Sequence, residues 1–301
     1  MAGAADIADD SQLGRHLIQA IAAVFAALWL YSTAVAAPVP DARGKVFEPR
    51  HAQRIITLAP HIGELVAAVG AAPRIVAVSR FTDYPPQLAS RAVIGDSAKL
   101  DIERIVKLKP DLIIAWLSGN SAAEVAQLER LGFPVFVTES RRLADIPQTL
   151  RQLGALIDAN GAAPARAFEA AIARYRKQQR TPRLSVFYQL WPQPLMTING
   201  KHWVSDVISL CGGDNIFAAL APLAPTVSLE SVLQKNPDVI LAGGAAEQFE
   251  AWRRFPLLNA VKRNALYSVE ADDLHRPTLR LLDAVESVCR ILDQARAGST
   301  R

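Results

Sequence analysis

Aromatic and polar side chains collect where the strands read from this 301-residue sequence come to an end. Phe81 stands just ahead of Asp83, Tyr84, Pro85 and Pro86. Trp116, Trp191 and Trp203 lie at or near other strand ends, and Asp272, Asp273, Leu274, His275 and Arg276 run together after the last strand. Ligands of open α/β sheets bind beyond the carboxyl ends of the strands, so these are the candidate ligand contacts. Two of the five histidines, His61 and His275, are also well placed, because each follows a strand. The chemistry on offer is adsorption: rings supply flat apolar surface, while carboxylates accept and guanidinium donates at its edge. Each aromatic taken alone fits a place in the core equally well; together they suggest an apolar face with polar tips.

The patterns that carry bond-making chemistry are missing. A phosphate-binding enzyme needs glycine-rich turns that let backbone N–H groups approach the anion. Here the turn after Leu58 reads Ala59-Pro60-His61 and the one near Leu190 reads Trp191-Pro192-Gln193-Pro194, where proline has no N–H to give. No H-E-x-x-H, C-x-x-C or G-x-S-x-G occurs. We therefore expect no catalytic residues, no metal site and no cofactor.

A sixteen-residue unit occurs twice, as LDIERIVKLKPDLIIA from Leu100 and VSLESVLQKNPDVILA from Val227. In each copy a glutamate (Glu103, Glu230) precedes a Pro-Asp pair (Pro110-Asp111, Pro237-Asp238) by seven residues, and an apolar strand-like run follows. A period of 127 residues is too long for a solenoid, so two lobes on one α/β plan are expected. Asp101 and Ser228 are placed to cap the two helices, which puts each glutamate at the positive end of a helix dipole. The pair has a second reading as one exposed acid per lobe, a two-point electrostatic docking surface.

Apolar runs of four to eight residues alternate with helical periodicity, as parallel strands with right-handed crossovers require. The fold is read to begin at Arg54, after an irregular lead from Pro38 to Gln53. Strands are expected at 54–58, 74–79, 111–116 and 134–138, and helices from Gly63, from Ile102 to Leu108 and from Ala122 to Leu131. A strand-free stretch, helical over 146–157 and 163–180, connects this lobe to a second strand and helix series starting at Leu184. The expected organisation is a signal segment 1–36, an N-terminal α/β lobe 54–142, a helical connector 143–181 and a C-terminal α/β lobe 182–297.

Half of the residues are hydrophobic, enough for a substantial core, and the formal net charge is +4. Basic residues are dispersed rather than blocked, which argues against a nucleic-acid partner. From Leu17 to Pro40 there is no charge, and the run ends in Ala34-Val35-Ala36, the small-x-small pattern of a signal-peptidase site. The acidic residues ahead of Arg15 are unusual for such a signal, and an uncleaved membrane anchor is the other reading. Only two cysteines are present, Cys211 and Cys289, and in an exported chain an even count favours one disulfide.

The segments RIITLAPHIGELVAAVG, SRFTDYPP, LDIERIVKLKPDLIIAW, ISLCGGDNIF and VSLESVLQKNPDVIL together resemble the periplasmic cobalamin-binding proteins of ABC importers, within the iron-chelate and cobalamin class of substrate-binding proteins. The likeness runs from about Arg54 to Arg296. It implies two Rossmann-like lobes joined by a long connecting helix, with a corrinoid held between them by a monomer that performs no catalysis. It also implies that Glu103 and Glu230 meet arginines of an inner-membrane permease and that Cys211 pairs with Cys289. Phe81 and Trp116 fall on ligand contacts, and Asp272 to Arg276 on the segment reaching the corrin side groups. Departures stand at Ser97, Leu190 and Ala224, where the family pads the ring with aromatics; Trp191 or Trp203 is expected to compensate. The rival readings are a haem or ferric-siderophore carrier of the same fold, and a bilobal chelatase-like enzyme.

Overall fold

The computed structural model describes residues 37–298, and the signal segment expected at 1–36 lies outside them. Among the described residues no helix is long and apolar enough to cross a membrane.

The strands are β1 (Val39–Pro40), β2 (Val46–Phe47), β3 (Ile55–Thr57), β4 (Ile75–Val78), β5 (Ala92–Val93), β6 (Leu112–Trp116), β7 (Val135–Thr138), β8 (Leu184–Gln189), β9 (Trp191–Pro192), β10 (Leu195–Met196), β11 (Gly213–Asn215), β12 (Val239–Gly243) and β13 (Leu266–Val269). They build a parallel five-stranded sheet in the order β5-β4-β3-β6-β7 and a parallel four-stranded sheet in the order β11-β8-β12-β13. Parallel sheets are covered on both faces, which is why their strands read as unbroken apolar runs. In β6, Ile113 and Ala115 face one core layer with Val125 and Leu128, while Leu112 and Ile114 face another with Ile62 and Leu65. This second layer continues through Phe168 and Ile172 into Val186, Tyr188 and Val204, so one continuous core underlies both sheets. Each such aliphatic side chain contributes about 1.5–3 kcal/mol when fully buried.

Between β7 and β8 the chain forms two helices, Asp145–Leu156 and Ala162–Arg176, packed on each other. The first also packs against the Pro60–Ala68 helix and the second against the C-terminal helix Leu281–Gly298, so the pair spans the two sheets. Their close approach needs Gly161, where a Cβ would collide with the Leu150 carbonyl. The lead before Arg54, read as irregular, is part of the fold. β1 pairs with β2, and Val39, Phe47 and Ala52 are buried in the core. Two-residue strands carry too little periodicity to be seen in sequence.

The repeated unit performs the same task in both halves. Asp101 accepts from Arg104 N and Ser228 from Ser231 N, capping the helices Ile102–Leu108 and Leu229–Lys235. Both helices end on a left-handed residue, Lys109 at φ 47° and Asn236 at φ 44°. The Pro-Asp carboxylates then pin the neighbouring strand: Asp111 accepts from Gln53 N at 2.7 Å and Arg54 N at 3.0 Å, and Asp238 from Ser185 N at 3.0 Å.

A disulfide joins Cys211, at the end of the Trp203–Leu210 helix, to Cys289 in the C-terminal helix and closes a separation of 78 residues. Both cysteines are buried, and restricting a loop of this length in the unfolded chain is worth about 2–4 kcal/mol. Urea unfolding of the Cys211→Ser/Cys289→Ser protein is expected to show a loss of that size, and thiol titration of the denatured, unreduced wild type to find no free thiol.

Candidate ligand-binding site

The helix Pro60–Ala68 starts directly beyond β3, with proline in its first turn, where the missing N–H costs nothing. It carries His61 and Glu64. His61 is buried and meets Trp116, the last residue of β6, edge-to-face at 5.0 Å. Asn120 holds this corner: its Oδ1 accepts from Trp116 N at 2.8 Å and its Nδ2 donates to the Leu58 carbonyl at 3.0 Å, so the ends of β3 and β6 are tied together.

Glu64 reaches the segment that follows β13. Its side chain is only 3 % exposed and takes Arg276 Nη1 at 2.9 Å on Oε1 and Thr278 Oγ1 at 2.9 Å on Oε2. Arg280 Nη1 stands 3.7 Å from Oε1. Arg276 also binds Asp83 at 2.6 Å, Asp272 at 2.9 Å and the Phe81 carbonyl at 3.2 Å. Arg280 binds Asp273 at 2.6 Å and lies over the Tyr84 ring at 4.9 Å. Elements of both sheets thus converge on two guanidiniums. A cavity of about 420 Å³ adjoins them, lined by Glu64, Tyr84, Thr278 and Arg280 among others. A cavity of about 610 Å³ lies elsewhere, around Arg142, Arg176 and Asp206, and includes none of the expected ligand residues.

Phe81 is 71 % exposed and sits at φ 66°, an uncommon backbone for a bulky side chain. Arg276 on its carbonyl and the buried neighbour Thr82, which donates to Ser79 O at 2.8 Å, hold it there. The conformation presents the ring outward, next to Asp83 and the half-exposed Tyr84.

The structure therefore brings Phe81, Tyr84, Asp272, Asp273 and Arg276 together around two guanidiniums, and sets His61 against Trp116 at the start of the helix that carries Glu64. Trp191 is 58 % exposed on β9, in the hairpin that follows β8. His275 bonds through Nε2 to the Tyr188 hydroxyl at 2.5 Å, and its ring packs against Gly243. Two expectations change. Leu274 is fully buried and its carbonyl accepts from Trp203 Nε1 at 2.9 Å, so its side chain is core. Trp203 is itself buried, and the compensating aromatic surface foreseen for it is spent inside the fold. Glu103 and Glu230 are exposed at the second position of their helices, and among the described residues neither has a salt-bridge partner.

Glu64, Thr278, Arg280 and Tyr188 were not singled out from sequence. Glu64 did leave a trace, as the single charge on an otherwise apolar helix. Burial pushes its carboxyl up and the contacts to Arg276, Thr278 and Arg280 pull it back, leaving it above the ordinary value. For Asp83 desolvation also raises the pKa, but the more exposed carboxylate is dominated by Arg276 and lies below the usual range. Burial brings His61 down to about 3, helped by the charge of Arg276, and His202 to about 3, helped by His275.

Residues 55–272 match the family model described as periplasmic binding protein. The chain belongs to that family. It is 40 % identical over 251 residues to a vitamin B12-binding protein of Vibrio cholerae, covering 81 % of this chain and 91 % of the relative. A vitamin B12-binding protein of Pectobacterium carotovorum is 34 % identical over 255 residues, covering 82 % and 91 %. Among solved structures, the periplasmic vitamin B12 binding protein of Vibrio cholerae superimposes with a TM-score of 0.74 at 39 % identity, covering 82 % of this chain and 99 % of that one. The apo periplasmic heme-binding protein of Roseiflexus sp. RS-1 shares the fold at TM-score 0.72 and 22 % identity, with coverage of 81 % and 98 %. The family is one of substrate-binding proteins, and its two-lobed α/β architecture is the one found here.

The neutral histidines set an acid limit. An unfolded histidine titrates near ~6.5, whereas His61 and His202 titrate at about 3 in the fold. Between those values the unfolded chain binds more protons, so stability falls as pH drops from the upper towards the lower. The slope is up to about 1.4 kcal/mol per pH unit for each histidine. Glu64 and Asp273, both raised, act in the opposite sense, while Asp83 adds to the loss at the acid end. Urea midpoints are expected to fall from neutral pH to about pH 5, and less steeply in His61→Gln/His202→Asn, where asparagine retains a cap for the helix that His202 starts.

Proposed function

We propose that this chain captures cobalamin or a related corrinoid in the periplasm and delivers it to an ABC importer. The supporting observation is the 39 % identity, over nearly the whole of the solved vitamin B12 binding protein, of a chain whose exposed aromatics stand beside an acid-guanidinium rim. A corrin is a broad apolar ring edged with amides, and such a ligand needs flat surface plus donors and acceptors at its margin. In this reading Phe81 and Trp116 supply surface from the N-terminal lobe 54–142 and Trp191 from the C-terminal lobe 182–297, with 143–181 as the connector. His61 backs Trp116, Tyr84 flanks Phe81, and Asp272, Asp273, His275 and Arg276 form the polar margin, steadied by Leu274 in the core. The protein works as a monomer without chemistry of its own, and Glu103 and Glu230 dock it onto arginines of the permease.

Isothermal titration with cobalamin, cobinamide, haem and a ferric siderophore tests the ligand. Saturable binding of the two corrinoids is expected, weakened about tenfold by Phe81→Ala or Trp116→Ala; binding of haem or siderophore with neither corrinoid overturns the assignment.

Docking is tested separately. Glu103→Ala/Glu230→Ala is expected to bind corrinoid as the wild type does, but to associate more weakly with the permease and with less salt sensitivity. Normal transport by that double variant would leave the two acids as helix-terminal charges only.

A further inference from the structure

Two guanidiniums at the junction of the lobes serve more carboxylates than they can neutralise. Arg276 contacts Glu64, Asp83 and Asp272, and Arg280 contacts Asp273 and Glu64. Four acids therefore share two positive charges, and Glu270 and Asp283 add their fields at Asp273. No histidine restores the balance at neutral pH, because His61 is neutral above about 3 and burial also lowers His275. The Tyr188 hydroxyl bonded to His275 is held protonated by burial. Even with Glu64 protonated, the remaining three acids outnumber the two guanidiniums.

The hydrogen-bonding capacity points the same way. Arg276 Nη1 serves Glu64 and Asp83, and Nη2 serves the Phe81 carbonyl and Asp272. Both Nη1 donors and one Nη2 donor are thus committed to Glu64, Asp83 and the Phe81 carbonyl, with the Asp272 carboxylate in ion-pair contact beside them, so an incoming carboxylate meets acids around the guanidinium. Asp83 and Asp272 keep 57 % and 44 % of their side chains exposed. Each has lone pairs free to accept from an amide N–H, the one thing an amide edge offers and a carboxylate edge lacks.

From this arrangement, and resting on the corrinoid reading above, we propose that the acid excess around Arg276 and Arg280 is a charge filter on the cleft. It admits ligands with a neutral, amide-bearing rim and rejects ligands whose rim carries carboxylates. Selectivity is a difference of affinities, and repulsion of the wrong ligand is as effective as attraction of the right one. The filter separates a corrinoid amide from its own hydrolysis product as well as from a dicarboxylate porphyrin.

The test compares one corrinoid, cobinamide, with the same molecule carrying one side-chain amide hydrolysed to a carboxylate, by absorbance or calorimetric titration at neutral pH. Wild type is expected to bind the monocarboxylate about tenfold more weakly, and the ratio to shrink as salt rises from about 0.05 M to about 0.5 M. In Asp83→Asn/Asp272→Asn the ratio should narrow to below about threefold, whatever happens to the affinity for cobinamide itself. Both positions are exposed enough to accept asparagine, and thermal melts confirm that the variant is folded. Equal affinities in wild type, a ratio indifferent to salt, or an unchanged ratio in the folded variant would each overturn the filter. Failure of wild type to bind any corrinoid removes the ligand assignment instead; haem then reads the filter, with tighter binding to the variant supporting it and equal binding overturning it.

Discussion

The Glu64 to Arg276 contact is the interaction on which the site depends. It joins a helix that starts at the end of β3 to a segment that follows β13, across 212 residues of sequence, and almost no water reaches it. A buried pair contributes little beyond a well-packed apolar substitute, yet removing one partner costs about 3–5 kcal/mol because the other charge is stranded. The pair is therefore better understood as fixing a geometry than as supplying stability. With Arg276 placed, the Phe81 carbonyl, Asp83 and Asp272 follow, and the exposed ring of Phe81 is held on a backbone it would otherwise avoid.

The tethers around this contact are unlike in kind. On one side Asn120 binds β3 to β6 beneath Trp116, a network of neutral amides. On the other, Trp203 Nε1 holds the carbonyl of Leu274, and Tyr188 holds His275, so the short helix Ala271–His275 is tied from below by two buried rings. The acid-bearing face of that helix meets the two guanidiniums, Asp272 on Arg276 and Asp273 on Arg280, with Asp272 still 44 % exposed. The disulfide acts further back, fixing the C-terminal helix that begins at Leu281, directly after Thr278 and Arg280.

Local pattern made much of this legible. The doubled helix-turn-strand unit showed in sequence because its parts are contiguous: a capping residue, a left-handed stop and a Pro-Asp pin within sixteen positions. Phe81, Asp83, Tyr84 and Arg276 stood out because aromatic and charged residues interrupt apolar runs at strand ends. What escaped depended on distant partners. Glu64 showed only as a lone charge on an apolar helix until Arg276 was placed beside it, and Trp203 looked like a ligand-facing ring until Leu274 was seen to claim its N–H. The β1–β2 ribbon escaped because its pairing adds no period to the sequence.

The pinned repeat has a mechanical consequence. Glu103 and Glu230 each ride on a short helix whose end is locked by a left-handed residue and whose following Asp is bonded to the backbone leading into a central strand. Each of the two helices is thereby moored to its own sheet, so the separation of their N-terminal ends is inherited from the arrangement of the sheets and not from the helices themselves.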